Sequence, residues 1–123
     1  MADALTIQEA AETTGWSPRM LRYIERIGLL ATDRSASGYR LYGPEQLQRL
    51  RTLRELLAEF DIGLGDVGFA LRLHREKPLR DAVESWIEAE PVRPEGVDAS
   101  DWLRWEQEKH QRLLNIVTEK SAA

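Results

Sequence analysis

Residues 17–28 read SPRMLRYIERIG, and the reading of this stretch decides the fold. At about 100° per residue, Arg19, Arg22, Tyr23 and Arg26 fall on one face of a helix and Met20, Leu21, Ile24 and Ile27 on the other. Both ends are marked. Ser17 suits the N-cap, Pro18 the first helical position, where no N–H is needed, and Gly28 the left-handed backbone that closes a helix. The spacing predicts a short helix with one packing side and one cationic side. A solvated charged face on an ordinary amphipathic helix has the same pattern, so the flanking sequence must choose between them.

Upstream, Thr6 and Glu9 form a T-x-x-E capping box. A first helix is expected from Ile7 to about Thr13, with Ile7, Ala10 and Ala11 inward and Gly15 closing it at positive φ. Two short helices joined through a glycine turn, the second bearing arginines, make a helix-turn-helix pattern. Downstream, Tyr39 and Leu41 alternate with Arg40 and Tyr42, which predicts a β-hairpin after the polar stretch 32–38. Its loop is read as holding Arg34, two serines and Gly38, groups that can approach a phosphate backbone closely. A plain solvated connector is the alternative.

The charge distribution favours the cationic reading. Between Gly15 and Arg54 eight arginines stand against Glu25, Asp33 and Glu45, an excess of five positive charges in a chain whose net charge is -4. The remainder is strongly acidic. Every basic residue of that segment is arginine, the side chain suited to bidentate contacts with phosphate or guanine.

With 123 residues, 42% hydrophobic and 31% charged, the chain fits one modest globular domain, or a small domain with an appendage. The absence of cysteine excludes disulfides, thiolate metal sites and iron–sulfur clusters, and His74 and His110 lie far apart in sequence. No metal and no cofactor are expected. No apolar run approaches the roughly 20 residues needed to cross a bilayer, and MADALTIQEA lacks the features of a signal peptide. A cytoplasmic location without a membrane partner is expected. No phosphate-binding glycine loop, Ser-His-Asp or Cys-His set, or paired carboxylate constellation is present, so neither enzyme activity nor a catalytic residue is expected.

Gly43 and Pro44 open a third predicted helix, with Leu47, Leu50, Leu53, Leu57 and Phe60 inward and an end near Asp61. Arg49, Arg51 and Arg54 fall on its other sides, solvated or within reach of a phosphate. A fourth helix is expected from Leu64 to Leu73 with Val67 and Leu71 inward, weakened by Gly65 and Gly68 at roughly 1 kcal/mol each. Pro78 starts a fifth, burying Leu79, Ala82, Val83, Trp86 and Ile87. After Pro91, Pro94 and Gly96, Asp98 is read as the N-cap of a last helix, with Val97 and Trp102 as its hydrophobic staple. Trp102, Leu103, Trp105, Leu113, Leu114, Ile116 and Val117 crowd one half of that helix, with Glu106, Lys109 and His110 at the centre. Such a face calls for a partner helix. Trp86, Trp102 and Trp105 could line a pocket for a flat apolar ligand, or pack structurally.

The segments LTIQEAA, TGWSPRMLRYIERIGLL and RSASGYRLY, followed by the leucine-spaced helix, resemble the MerR family of winged helix-turn-helix transcription regulators from Leu5 to about Leu73. The specific parts are Leu21-Arg22-Tyr23, Glu25, Gly28-Leu29-Leu30 and Gly38-Tyr39-Arg40 with Tyr42. Ile24 stands where the family usually has a second aromatic, and Met20 where it has a small polar residue. The resemblance implies a mainly α fold. A winged helix-turn-helix with a small β-hairpin wing would occupy residues 1–76, and a helical extension with a C-terminal dimerisation helix residues 77–123.

The resemblance also implies that Arg22 and Tyr23 contact DNA from the recognition helix, and Arg40 and the backbone near Gly38 from the wing. Arg19 and Arg26 join them from face geometry, and Ser17, Arg34 and Tyr39 complete the candidate DNA-binding set. Dimerisation through antiparallel C-terminal helices is implied, with Trp102, Trp105, Glu106, Lys109, Leu113, Ile116 and Val117 as the candidate interface. Pairing of Glu106 with the Lys109 of a second copy would fix the register. The function so implied is a homodimeric, sequence-specific regulator on a palindromic promoter operator, with double-stranded DNA, its own copy and RNA polymerase as partners. A MerR-like protein-binding adaptor of the chaperone-modulator type is the alternative.

Overall fold

In the computed structural model, which describes residues 4–66 and 68–122 and side chains through residue 115, α1 (Ile7–Thr14) opens on the predicted capping box. Thr6 Oγ1 accepts from the Glu9 N–H at 3.2 Å, and Glu9 Oε1 from the Thr6 N–H at 3.0 Å. Gly15 closes the helix at φ +87°, its N–H donating to the Ala11 carbonyl. Next comes α2 (Pro18–Arg26), where Ser17 Oγ accepts from the Met20 N–H at 3.1 Å and Gly28 follows the last turn at φ +85°. Met20, Leu21 and Ile24 are buried, so the arginines of α2 are left on its outer side.

Strands β1 (Asp33–Arg34) and β2 (Arg40–Leu41) pair antiparallel, Asp33 opposite Leu41 and Arg34 opposite Arg40. Arg34 thus belongs to a strand and not to the loop. The physical reason lies in Ser35, whose N–H donates to the Tyr39 carbonyl at 2.8 Å while its Oγ accepts from the Tyr39 N–H at 3.1 Å. Those bonds close the reversal within residues 35–39, and the ladder begins at once. One residue beyond β2, Tyr42 pairs with Leu5 through bonds of 2.7 and 2.8 Å, which ties the base of the hairpin to the segment entering α1.

Helix α3 (Pro44–Glu59) runs through the core, with Leu47, Leu50, Leu53 and Leu57 at most 2% exposed. Truncating any of them to alanine should destabilise the fold by about 2–5 kcal/mol. Past its end, Asp61 sits at φ +58°, the one non-glycine at positive φ among the described residues. Aspartate occupies that backbone better than most residues, because its short polar side chain can bond locally.

The fourth helix departs from the sequence expectation. Helix α4 (Phe69–Arg75) starts only after Gly63, Gly65 and Gly68, since glycine loses too much backbone entropy to carry the first turn. Its buried residue is Phe69, whereas Leu71 is 54% exposed and points outward; Val67 lies outside the described residues. Helix α5 (Lys77–Glu88) packs Leu79, Val83 and Trp86 inward, and the Trp86 Nε1–H donates to Thr52 Oγ1 of α3 at 2.8 Å. Ile87, at the edge of the predicted stripe, stays exposed.

The last helix departs twice. Helix α6 (Trp102–Ala122) begins beyond the predicted cap: the Asp98 carbonyl accepts from the Asp101 N–H in a turn, and the Asp101 carbonyl takes the first helical bond, from Trp105. Its polar-centred face meets α3 and α1 of the same chain. Glu106 and His110 are fully buried there. Arg51 Nε donates to Glu106 Oε1 at 2.9 Å, Gln48 Nε2 and Trp102 Nε1 donate to Oε2 at 3.3 and 3.2 Å, and His110 Nε2 bonds the Leu47 carbonyl at 2.7 Å.

Glu106 therefore has its countercharge within the chain and is not presented to the Lys109 of a second copy. Lys109 lies instead over the Trp105 ring, 5.1 Å from its centroid. The connector brings α6 back to α3 partly through Gln48, whose amide accepts from the Val92 N–H at 2.8 Å and donates to the Val92 carbonyl at 2.6 Å. The side chains of Ile116 and Val117 lie outside the described residues.

Candidate nucleic-acid interface

Because α2 buries Met20, Leu21 and Ile24, helical geometry turns Arg19, Arg22 and Arg26 to solvent. Tyr23 takes an intermediate place. Its ring meets Phe69 edge-on at 5.7 Å and carries Arg26 over it at 5.6 Å, so it is braced by α4 while still bordering the cationic face. Ser17 is exposed, with its hydroxyl oxygen engaged as the cap of α2.

Between α2 and the hairpin lies a groove of about 330 Å³. Arg22, Arg34 and Arg40 line it together with Ser35, Gly38 and Tyr39, while Thr6 and Ile7 flank it from the start of α1. Tyr39 is 73% exposed at the hairpin tip. Gly38 has φ +87° and open space where a Cβ would stand, so backbone there can come close to a ligand. Five of the sequence-derived candidates thus share one groove, and Arg19, Arg26, Ser17 and Tyr23 lie along the helix beside it.

Glu25 organises this surface. Its carboxylate accepts from Arg40 Nε at 3.0 Å, from Arg34 Nη2 at 3.1 Å and from the Thr32 hydroxyl, linking α2 to both strands. Burial pushes the Glu25 carboxyl up, but the bonds from Thr32 and Arg40 and the charges of Arg40 and Arg34 outweigh it and hold the group below its ordinary value. One carboxylate shared by two guanidinium groups leaves a surplus positive charge, and Arg22 adds another. This positioning role was missed from sequence, where Glu25 is only a motif residue; its isolation among arginines was the available signal.

The tryptophans do not converge on one pocket. Trp86 lines a cleft of about 150 Å³ with Arg49 and Thr52, Trp105 a separate one of about 320 Å³ with Arg51 and Lys109, and Trp102 is buried. Thr52 and Arg51 are successive residues of α3 and project about 100° apart, which separates the rings they hold. Among the described residues no cluster of three or more His, Cys, Asp or Glu could hold a metal, and no helix is long and apolar enough to cross a membrane.

Comparison with known proteins gives the family of the chain. The family described as MerR HTH family regulatory protein matches residues 5–72, from the Leu5 bridge into α4. An uncharacterized HTH-type transcriptional regulator of Pseudomonas aeruginosa is 37% identical over 90 residues, which cover 72% of this chain and 67% of that protein. The HTH-type transcriptional regulator HmrR of Sinorhizobium medicae and the heavy metal-dependent transcription regulator 2 of Rhizobium meliloti are each 36% identical over 73 residues. Those matches span 58% of this chain but only 44% of either rhizobial protein. No solved structure matches the chain at a significant level. With the family covering more than half of its length, on the elements that build the arginine groove, the chain belongs to the MerR HTH family of transcriptional regulators.

Proposed function

We propose that the protein acts as a sequence-specific DNA-binding homodimer, with α2 in the major groove and the hairpin against the flanking backbone of a two-fold symmetric operator. One observation carries this reading: Arg22, Arg34 and Arg40 line a single groove between α2 and the hairpin, with Glu25 holding the last two in place. Arginines so held can meet phosphate oxygens or guanine edges at little further entropic cost. A protein-binding adaptor would have no use for such a groove. Residues 1–76 would supply the DNA contacts and residues 77–123 the self-association. Since Glu106 and His110 bond to α3 and Trp102 is buried, a second copy would meet α6 through Trp105, Lys109 and Leu113 and onward through 116 and 117. RNA polymerase would be engaged at the bound promoter.

The test is a fluorescence-anisotropy titration against a duplex selected from random DNA by the full chain. Arg22→Ala should weaken binding by about tenfold or more, leaving the circular dichroism spectrum unchanged. Affinity should fall steeply with salt, as counterion release requires. Full affinity of the variant would remove α2 from the interface, and sedimentation at micromolar concentration reads the dimer.

A further inference from the structure

The end of α3, the turn leading into α2 and the glycine-rich stretch before α4 enclose a further cleft, of about 280 Å³, away from the arginine groove. Among the described residues its lining is apolar, with Trp16, Leu57, Ile62 and Leu64 as walls, Ala58 at the exposed edge and Arg54 as the sole charged group. Trp16 and Leu57 are each 2% exposed and Ile62 is 5% exposed, so the floor is anchored in the core. The volume is close to the lower bound for small-molecule sites, which typically combine apolar walls with a few placed polar groups.

Arg54 supplies that polar group. Among the described residues its Nη1 reaches only the Thr14 carbonyl, at 3.4 Å, and no carboxylate lies within ion-pair distance of it. Arg51, three residues earlier on α3, is by contrast paired with both Glu55 and Glu106. Burial pulls the Arg54 guanidinium below the usual arginine value, with no neighbouring charge among the described residues to offset it. A half-buried guanidinium with unused donors on an apolar wall fits an anion with an apolar body. The Trp16 indole favours an aromatic body over an alkyl chain.

We infer that this cleft binds an aryl monocarboxylate, with its carboxylate on Arg54 and its ring against Trp16, Leu57 and Ile62. The site also touches the turn that positions α2. Trp16 precedes the Ser17 cap, and a Cβ on neighbouring Gly15 would stand 2.7 Å from the Leu114 side chain of α6 and 3.1 Å from Leu64. Any effect of the ligand on DNA rests on the function proposed above, whereas binding in the cleft does not, so the two readings fail separately.

The experiment is isothermal titration calorimetry of the full chain with 2-naphthoate and its neutral counterpart 2-naphthalenemethanol. The carboxylate should bind saturably and about tenfold or more tighter than the alcohol. Arg54→Met should remove that preference while leaving binding of the alcohol unchanged. Ala58→Phe, at an exposed position that spares the core, should fill the cleft and abolish both, with the melting temperature confirming that each variant is folded. Absence of saturable heat at millimolar 2-naphthoate, equal affinity for acid and alcohol, or unchanged binding by Ala58→Phe would each overturn the site.

Discussion

The Glu25 carboxylate of α2 accepts from Arg40 Nε of β2 at 3.0 Å, and this pair sets the hairpin against the helix. Glu25 is 18% exposed at its side chain and Arg40 27%, so the contact is partly shielded from solvent. The two elements that would grip DNA are thereby locked to one another before any DNA arrives.

Glu25→Gln should therefore lower operator affinity although it removes a negative charge from the surface proposed to face DNA. Charge alone predicts tighter non-specific binding, and loss of arginine positioning predicts weaker specific binding. Anisotropy with specific and scrambled duplexes separates the two effects. The variant should also lose about 1–2 kcal/mol of stability at pH 7 in urea denaturation. Because the folded pKa of Glu25 is lowered from 4.5, that contribution is fully present above pH 4.5 and disappears as the pH falls through the depressed value. The wild-type and variant denaturation midpoints should converge in acid.

Glu106→Ala should destabilise the chain by about 3–5 kcal/mol, since it leaves Arg51, Gln48 and the Trp102 indole N–H facing a void. The double variant Arg51→Met, Glu106→Leu should recover most of that loss, because removing both charges leaves neither uncompensated. Urea denaturation of the single and double variants reads both values. Equal stability of Glu106→Ala and wild type would show that α6 does not rest on α3 in solution.

His110 should make stability depend on pH near neutrality. Burial lowers its pKa from 6.5, against the opposing effects of the Leu47 carbonyl and Glu106, so the folded chain holds the imidazole neutral. Stability from this group is present above pH 6.5 and lost as the pH falls toward the folded value, with a slope of at most about 1.4 kcal/mol per pH unit. Its Nε2 is bonded to Leu47, while Nδ1 is buried with no partner among the described residues. His110→Gln retains a donor for the Leu47 carbonyl without a titrating group. Melting temperatures between pH 7.5 and 5.5 should fall for the wild type and stay flat for the variant.

The helix-turn-helix was legible in the sequence because its signals are local. Thr6 and Glu9, Ser17 and Pro18, Gly15 and Gly28 each act within four residues, and the structure uses each of them as read. The arginine face followed from the burial of Met20, Leu21 and Ile24 on the opposite side. Less legible was the start of α4, where three glycines outweighed an apolar pattern that would otherwise extend the helix upstream. The hairpin was expected, yet the place of Arg34 within it depended on Ser35 bonding to Tyr39.

By itself, the sequence determined the caps, the turns, the leucine stripe of α3 and the cationic side of α2, since short-range sterics and hydrogen bonds specify those. Only the tertiary structure decided which charges meet. Glu25 joins Arg40 across 15 residues and Glu106 joins Arg51 across 55, contacts that no local periodicity encodes. The polar centre of the α6 face that in sequence calls for a partner helix, Glu106 and His110, finds it in α3 of its own chain. An amphipathic pattern specifies that a surface must be covered; only the path of the connector specifies what covers it.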